Sequence, residues 1–233
     1  MTKISKKLIL LILGSLSFFS VSAQNKNSFL GVRFGGALPL GEFASHKYGY
    51  GGYALLGKSF GGEAAWFLTP RLGFGVDFSM NSFEFASGYY AEDFYQANSQ
   101  DYIHVSLLSG PYKLKTYMGG AYYKIPISHK FSTTLKLMGG AFRAKSPDQS
   151  YGVKTFIAGN LIWWKSGARD TKFTFLTGLS LEYRLYPQVT VLLQSDYTYA
   201  RAAFKFVTGS TSSYVNYLQM PVFRLQPGLN IHF

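Results

Sequence analysis

The chain ends Leu225-Gln226-Pro227-Gly228-Leu229-Asn230-Ile231-His232-Phe233, and an apolar residue occupies every second position back from Phe233. Successive side chains of a β-strand point to opposite faces of a sheet, so this alternation predicts a strand with one apolar and one polar face. The same pattern recurs along the chain. It is clearest where Leu72, Phe74, Val76, Phe78 and Met80 alternate with Gly73, Gly75, Asp77, Ser79 and Asn81.

Short turns and long loops set the number of strands. Three turns that contain proline, at 68–71, 125–129 and 186–188, each separate two alternating segments. Proline presets a turn and lacks the N–H that a sheet ladder needs, so it belongs between strands. Longer polar stretches lie at about 39–52, 84–112, 143–172 and 200–216. Three short turns and four long loops join eight strands, of which the fourth, near 113–125, has no clear phase.

The two faces of these strands indicate a membrane. One face is almost free of charge and the other carries charges of both signs, and aromatic residues make up 18% of the chain. A soluble barrel of lipocalin type is apolar inside and polar outside, and it would not expose eight apolar strand faces to water. The pattern predicts an all-β fold: an eight-stranded antiparallel transmembrane β-barrel with short periplasmic turns, long extracellular loops and both termini in the periplasm.

The first residues have the pattern of an export signal. Lys3, Lys6 and Lys7 precede an apolar run at 8–19, and Val21-Ser22-Ala23 forms a small-residue cleavage site. The run is shorter than the ~20 residues of a membrane-spanning helix. We therefore expect a cleaved signal peptide at 1–23 and a barrel domain at 24–233. Loss of the three lysines lowers the net charge from +12 to +9, and the absence of cysteine excludes disulfides and thiolate metal sites.

Three sequence features carry a resemblance to known families. They are Pro39-Leu40-Gly41-Glu42-Phe43-Ala44, Thr69-Pro70-Arg71-Leu72-Gly73 and the terminal Phe233. With these the chain resembles the small outer-membrane barrels: the OmpX and OmpA membrane-domain families and the Bacteroidetes outer membrane protein beta-barrel group, which includes PorT-like proteins. The resemblance implies an integral protein of the bacterial outer membrane. It also implies that Phe233 is part of the signal read by the barrel-insertion machinery.

Alternation also predicts which side chains fill the barrel. The charged residues expected to face inward are Arg33, Glu63, Asp77, Lys136, Glu182, Arg184, Asp196 and Arg224. An eight-stranded barrel is only wide enough for its own side chains, and buried charges must be paired. We therefore expect a neutral network of four positive and four negative groups and no open pore. Aromatic residues at the membrane boundary are expected at Trp66, Tyr183 and Tyr186.

Motifs that suggest chemistry do not fit this fold. The stretch 52–59 matches the phosphate-loop pattern, but that loop must lead from a strand into a helix, and here a barrel strand follows. The four histidines lack metal-ligand spacing. No catalytic, cofactor or metal residues are expected, and no cofactor or nucleic-acid partner.

The sequence favours a non-enzymatic barrel with a structural or surface-interaction role exercised through its external loops. Expected partners are outer-membrane lipid (lipopolysaccharide and phospholipid), the insertion machinery and an unknown surface or secretion partner. The loop at 143–172 is a candidate hairpin with an edge for partner strands. Two alternatives stay open. One is an accessory role in protein secretion, and the other is a lipid-modifying hydrolase or acyltransferase. For the enzyme, the available residues are Ser45, His46, His104 and Ser106, oriented by Asp93 or Asp101.

Overall fold

The computed structural model describes residues 27–155, 159–208 and 212–233. The predicted signal peptide at 1–23 and its cleavage site lie outside the described residues. In the described part, no helix is long and apolar enough to span a membrane.

Eight antiparallel strands form a closed barrel in the order β1-β2-β3-β5-β6-β9-β10-β13. They are β1 (Phe29–Pro39), β2 (Ala54–Phe67), β3 (Leu72–Phe85), β5 (Tyr112–Pro126), β6 (Phe131–Lys145), β9 (Arg169–Tyr186), β10 (Val189–Tyr199) and β13 (Val222–His232). The first and last strands close the sheet, from the Phe29–His232 pair to the Pro39–Val222 pair. The predicted eight-stranded antiparallel barrel is confirmed.

The remaining elements lie in the four long loops and extend the barrel at one end. The first loop contains α1 (Gly41–Ala44), and the second contains α2 (Ser87–Ala97) and β4 (Tyr102–Ser109). The third contains β7 (Gln149–Thr155) and β8 (Gly159–Lys165), which join β4 in a three-stranded sheet. The fourth forms a hairpin of β11 (Arg201–Thr208) and β12 (Ser212–Gln219). We call this the loop end, since all four long loops lie there.

The opposite end, where both described termini lie, carries the three short turns and is called the terminal end. In the first of these turns the hydroxyl of Thr69 accepts hydrogen bonds from the amides of Arg71 and Leu72, at 3.3 and 2.9 Å. In the second, the amide of Ile127 donates to the carbonyl of Phe131. Proline therefore lies beside tight, hydrogen-bonded turns, as its lack of an N–H predicts.

The barrel has an apolar outside and a polar inside. The large apolar side chains of Phe34, Leu137 and Phe173 are 66–69% exposed, whereas the Arg33 side chain next to Phe34 is 1% exposed. This distribution is the reverse of a soluble protein's, and it matches a wall that faces hydrocarbon. The backbone is consistent with that setting, because a closed sheet leaves no unpaired strand edge in the membrane.

The strand whose phase the sequence does not give is β5. Its inward positions are Tyr112, Leu114, Thr116, Met118, Tyr122 and Lys124. Its outward positions begin with Lys113 and Lys115, which are exposed at the loop end. Apolar residues therefore occupy the inner face and lysines the outer face at this end of the strand. This reverses the pattern that β3 shows and hides the alternation.

The outer wall gives a direct test of the strand phases. Val76 points outward midway along the membrane-facing part of β3, where an arginine costs ~2–4 kcal/mol. We expect Val76→Arg to lower the free energy of unfolding in lipid by about that amount. Val207→Arg, at an exposed site of the β11–β12 hairpin beyond the wall, should change it by less than ~0.5 kcal/mol. Unfolding by denaturant in lipid vesicles measures both, and equal effects would contradict the assigned wall.

Candidate functional site in the barrel interior and the loop-end platform

Two apolar clusters occupy the barrel interior, one towards each end. The cluster at the terminal end contains Phe29 and Phe67, and the one at the loop end contains Phe43, Phe83 and Ala37. The inward positions of β1 run from Phe29 through the buried Arg33 to Ala37, so charge lies between two apolar clusters along this strand. At the loop end the rings of Phe43 and Phe83 meet edge to face, with centroids 5.0 Å apart.

A network of six charged side chains lies between these clusters. Arg33 donates to the carboxylates of Glu63 at 2.5 Å and Asp77 at 2.6 Å. The ammonium of Lys136 lies 2.7 Å from Asp77 and 3.2 Å from Asp196. Asp196 also binds the Arg224 guanidinium at 3.2 Å. The six residues come from β1, β2, β3, β6, β10 and β13, and all are at most 5% exposed.

A fourth buried carboxylate, Glu182 on β9, lies outside this network. The ammonium of Lys124 is 2.9 Å from it. The hydroxyls of Thr134 and Ser132 donate to it at 2.6 and 3.0 Å, and Ser180 donates at 3.1 Å. Buried carboxylates are costly unless paired and hydrogen-bonded, and Glu182 has both kinds of partner.

The prediction that Arg184 belongs to the inner network is wrong. Arg184 has the predicted phase on β9 but is exposed at the terminal end, where its amide donates to the carbonyl of Lys130. Lys124 of β5 supplies the positive charge instead. Among the described residues the interior still holds four positive and four negative groups, because Lys124 takes the place of Arg184. Sequence reasoning missed Lys124 because the phase of β5 was open.

Small residues make room for the long charged side chains. A Cβ at Gly178 would lie 2.2 Å from the carboxylate of Asp196 and 2.6 Å from the Lys136 side chain. Glycine is therefore required where two charges of the network meet on β9. Between strands, the hydroxyl of Ser79 hydrogen-bonds with Thr116 at 2.6 Å and accepts from Arg224.

The loop end carries an ordered extension that we call the loop-end platform: β4, β7 and β8 with α2 packed on one face. Ala91 of α2 packs in one apolar cluster with Val105 of β4 and with Tyr151 and Val153 of β7. The other face is exposed, and its apolar side chains Leu108, Ile162 and Trp164 are 71–79% accessible. The hairpin expected in the loop at 143–172 is present as β7 and β8. Phe156 and Ile157 of the same loop lie outside the described residues.

Four of the six residues considered for catalysis have partners in the structure, and His104 and Asp101 are exposed. His46 stacks on Tyr53 and Tyr89, with ring centroids 5.4 and 4.9 Å away. Ser106 donates to the carbonyl of Gly152, and Asp93 accepts from the Tyr53 hydroxyl.

Two further points concern metal binding and the stretch that matches the phosphate loop. Among residues 27–155, 159–208 and 212–233, no group of three or more metal-binding side chains is close enough to hold a metal ion. The stretch that matches the phosphate loop runs into β2, where Lys58 is exposed on the outer wall and does not begin a helix.

The predicted boundary aromatics lie towards the terminal end. The Trp66 and Phe233 rings meet edge to face at 6.2 Å, and the Tyr183 ring lies 4.9 Å from Phe131. Tyr186, at the last position of β9, is 69% exposed. Phe233 is also held by its amide, which donates to the carbonyl of Ser28 at 3.2 Å.

No protein-family model matches the chain, and neither does any curated protein. Among solved structures the chain is similar to small outer-membrane proteins. One is a major outer membrane protein of Thermus thermophilus (TM-score 0.49, 14% identity, 88% of this chain and 99% of that one). Another is neisserial surface protein A (0.48, 14%, 88% and 97%). A third is Ail, the attachment invasion locus protein of Yersinia pestis (0.46, 13%, 90% and 100%). The assignment of this chain to a membrane rests on its outer wall.

Removal of a carboxylate should lower the free energy of unfolding more in a buried ion pair than in an exposed one. Glu182→Ala leaves Lys124 buried without its partner, and breaking such a pair costs ~3–5 kcal/mol. Asp148→Ala removes the solvent-exposed partner of Lys145 and should cost at most ~1 kcal/mol. Both free energies of unfolding can be measured in the same lipid vesicles. A Glu182→Ala variant as stable as Asp148→Ala would show that Glu182 is not a buried, paired charge.

Proposed function

We propose that the protein is a non-enzymatic barrel of the bacterial outer membrane that acts through the surface it displays at the loop end, not by conducting solutes. The observation that carries the proposal is the contrast between the two parts of the molecule. The barrel interior is occupied by paired charges between two apolar clusters, whereas the loop-end platform exposes an apolar sheet face. Exposed apolar patches of this kind are typical of interaction sites.

The platform suits a partner that binds along a strand. In the described residues β8 pairs only with β7, so its other edge has no strand partner. A free edge offers backbone hydrogen bonds to an added strand, and neighbouring side-chain positions give specificity. Trp164 and Ile162 alternate with Trp163 along β8 and would supply those contacts. A surface or secretion partner would use this edge in the same way.

Both termini lie in the periplasm under this proposal, and the loop end faces outside. Short turns at one end and large loops at the other support that orientation, since outer-membrane barrels keep short turns on the periplasmic side. Phe233 would then present the chain terminus to the insertion machinery. Its packing against Trp66 at the edge of the β1–β13 seam is compatible with that role.

If the barrel interior does not conduct ions, planar bilayers that contain the protein should show no channel currents. Wild-type protein reconstituted in planar bilayers should give no stable single-channel steps, because charged and aromatic side chains fill an eight-stranded barrel. A general porin in the same bilayers is the positive control. Reproducible steps of one size from the folded wild-type barrel would contradict the proposal.

The orientation can be tested because the chain has no cysteine. Leu108→Cys places a thiol on the exposed face of the loop-end platform, and His129→Cys places one in an exposed terminal-end turn. In intact cells a membrane-impermeant maleimide should label only Leu108→Cys. His129→Cys should react once the outer membrane is permeabilised. The reverse pattern would place the platform in the periplasm.

A further inference from the structure

Five basic side chains lie together on the outside of the barrel wall at the loop end. They line one open groove of about 330 Å³ and form what we call the outer-wall cation cluster: Lys113, Lys115, Arg143, Lys145 and Arg169. They come from three adjacent strands, β5, β6 and β9. The strand register places them side by side, since Lys113 is paired with Lys145, Lys115 with Arg143, and Lys145 with Arg169.

This arrangement does not stabilise the barrel by itself. Like charges directly opposite each other on antiparallel strands are destabilising. Among the described residues, Lys145 is the only member of the cluster with an ion pair, to Asp148 at 2.6 Å. Hydrogen bonds from Lys145 and from the amide of Gly167 lower the pKa of Asp148, so that carboxylate stays charged and offsets one of the five cations. Within the part of the chain that the structure describes, the other four cations form no ion pair with a carboxylate.

The cluster lies at the level of lipid head groups. The outward residues of β6 from Phe131 to Ala141 are uncharged, and Arg143 and Lys145 follow directly. That uncharged stretch spans ~26 Å along the membrane normal at ~3.4 Å per residue and ~40° tilt, which matches the ~25 Å height of the apolar band. The cations therefore begin where the hydrocarbon ends.

The wall next to the cluster has a groove that an acyl chain fits. On β5 the outward positions run from Lys115 to Tyr117 and Gly119, and the last two line an apolar groove of about 680 Å³. Gly62 of β2 also lines it. A Cβ at Gly62 or Gly119 would approach no atom closer than 3.5 Å, so the barrel does not need glycine there. Their missing side chains leave the groove open.

An exposed aromatic ring lies on the other side of the cluster. Trp164 lines a second groove together with Asp148, the residue paired with Lys145 of the cluster. The ammonium of the neighbouring Lys165 lies 4.2 Å from the centre of the Phe206 ring, which belongs to the buried loop-end cluster. Since strand residues alternate, Trp164 points outward, on the same side as the cations. An apolar groove, a set of cations and an indole ring thus follow one another up the outer wall.

We propose that the outer-wall cation cluster binds the phosphorylated sugar head group of a lipid A-type glycolipid in the outer leaflet. Arg143 and Arg169 donate to phosphate oxygens through their guanidinium forks, and the lysines add point charges. An acyl chain lies in the groove beside Tyr117, and Trp164 packs against a sugar ring. The placement in the outer leaflet rests on the proposed orientation, whereas the binding of phosphate by these residues does not.

The test uses the folded full chain in zwitterionic nanodiscs, titrated with diphosphoryl lipid A, chemically dephosphorylated lipid A or phosphatidylglycerol. Diphosphoryl lipid A should bind at least tenfold tighter than either of the other two. Lys115→Gln/Arg143→Gln should weaken that binding at least tenfold. The matched control Lys154→Gln/Lys205→Gln removes two exposed lysines of the loop end that lie outside the cluster, and it should change the affinity less than twofold.

Folding and binding can be separated. Because Lys115 and Arg143 are an opposed like-charge pair, the double variant should unfold in zwitterionic nanodiscs at the same or a higher denaturant concentration than wild type. If it does not fold, Lys113→Gln/Arg169→Gln carries the same expectation for binding. Lys115→Arg, which keeps the charge, should bind as wild type does.

Three results would overturn the proposal. Equal affinity for phosphorylated and dephosphorylated lipid A would exclude phosphate recognition. Equal affinity for phosphatidylglycerol would show a general anionic-lipid patch and no glycolipid site. Equal loss of binding in the cluster variant and in Lys154→Gln/Lys205→Gln would show that net charge, not the cluster, attracts the lipid. None of these results bears on the thiol-labelling or bilayer experiments, which test the proposed function separately.

Discussion

Closure of the sheet between β1 and β13 is the constraint on which the rest of the structure depends. A strand edge left open in hydrocarbon would carry unpaired amides and carbonyls, so the eight strands must return on themselves. Once closed, the barrel has one face towards lipid and one towards a narrow interior. That geometry requires apolar residues where the wall faces hydrocarbon and places the polar residues at that level inside. Arg33 and Phe34, neighbours on β1 with opposite exposures, show the result.

The sequence alone was sufficient to predict the barrel, because the alternation of apolar and polar residues is visible within each strand. Each strand with lipid on one side and charge on the other reveals its own phase, as β3 does from Leu72 to Met80. In β5 the signal fails because its interior residues pack in the apolar clusters while Lys113 and Lys115 face outward. The error over Arg184 has a different cause. Alternation gives the direction of a side chain but not its height, and Arg184 lies too near the terminal end to be buried.

The loop-end platform was the part least accessible to sequence reasoning. Its strands are short, and their apolar residues face either α2 or solvent, so no two-fold pattern distinguishes them from an irregular loop. For this region the sequence analysis predicts only a hairpin in the loop at 143–172, which the structure shows as β7 and β8. The outer-wall cation cluster has no linear signal at all. Its members come from three separate segments of the chain, which become neighbours only through the register of β5, β6 and β9.

The inner charge network also bears on the order of folding. Arg33 comes from the first barrel strand and Arg224 from the last, and both reach carboxylates of strands between them. The network cannot be completed until the two ends of the sheet meet. Until then its charges need water, because unpaired charges in an apolar medium are costly. An unclosed intermediate therefore keeps a hydrated inner face, and dehydration of the interior accompanies the final strand pairing. The same side chains that fill the finished barrel would keep its precursor from collapsing into the membrane too early.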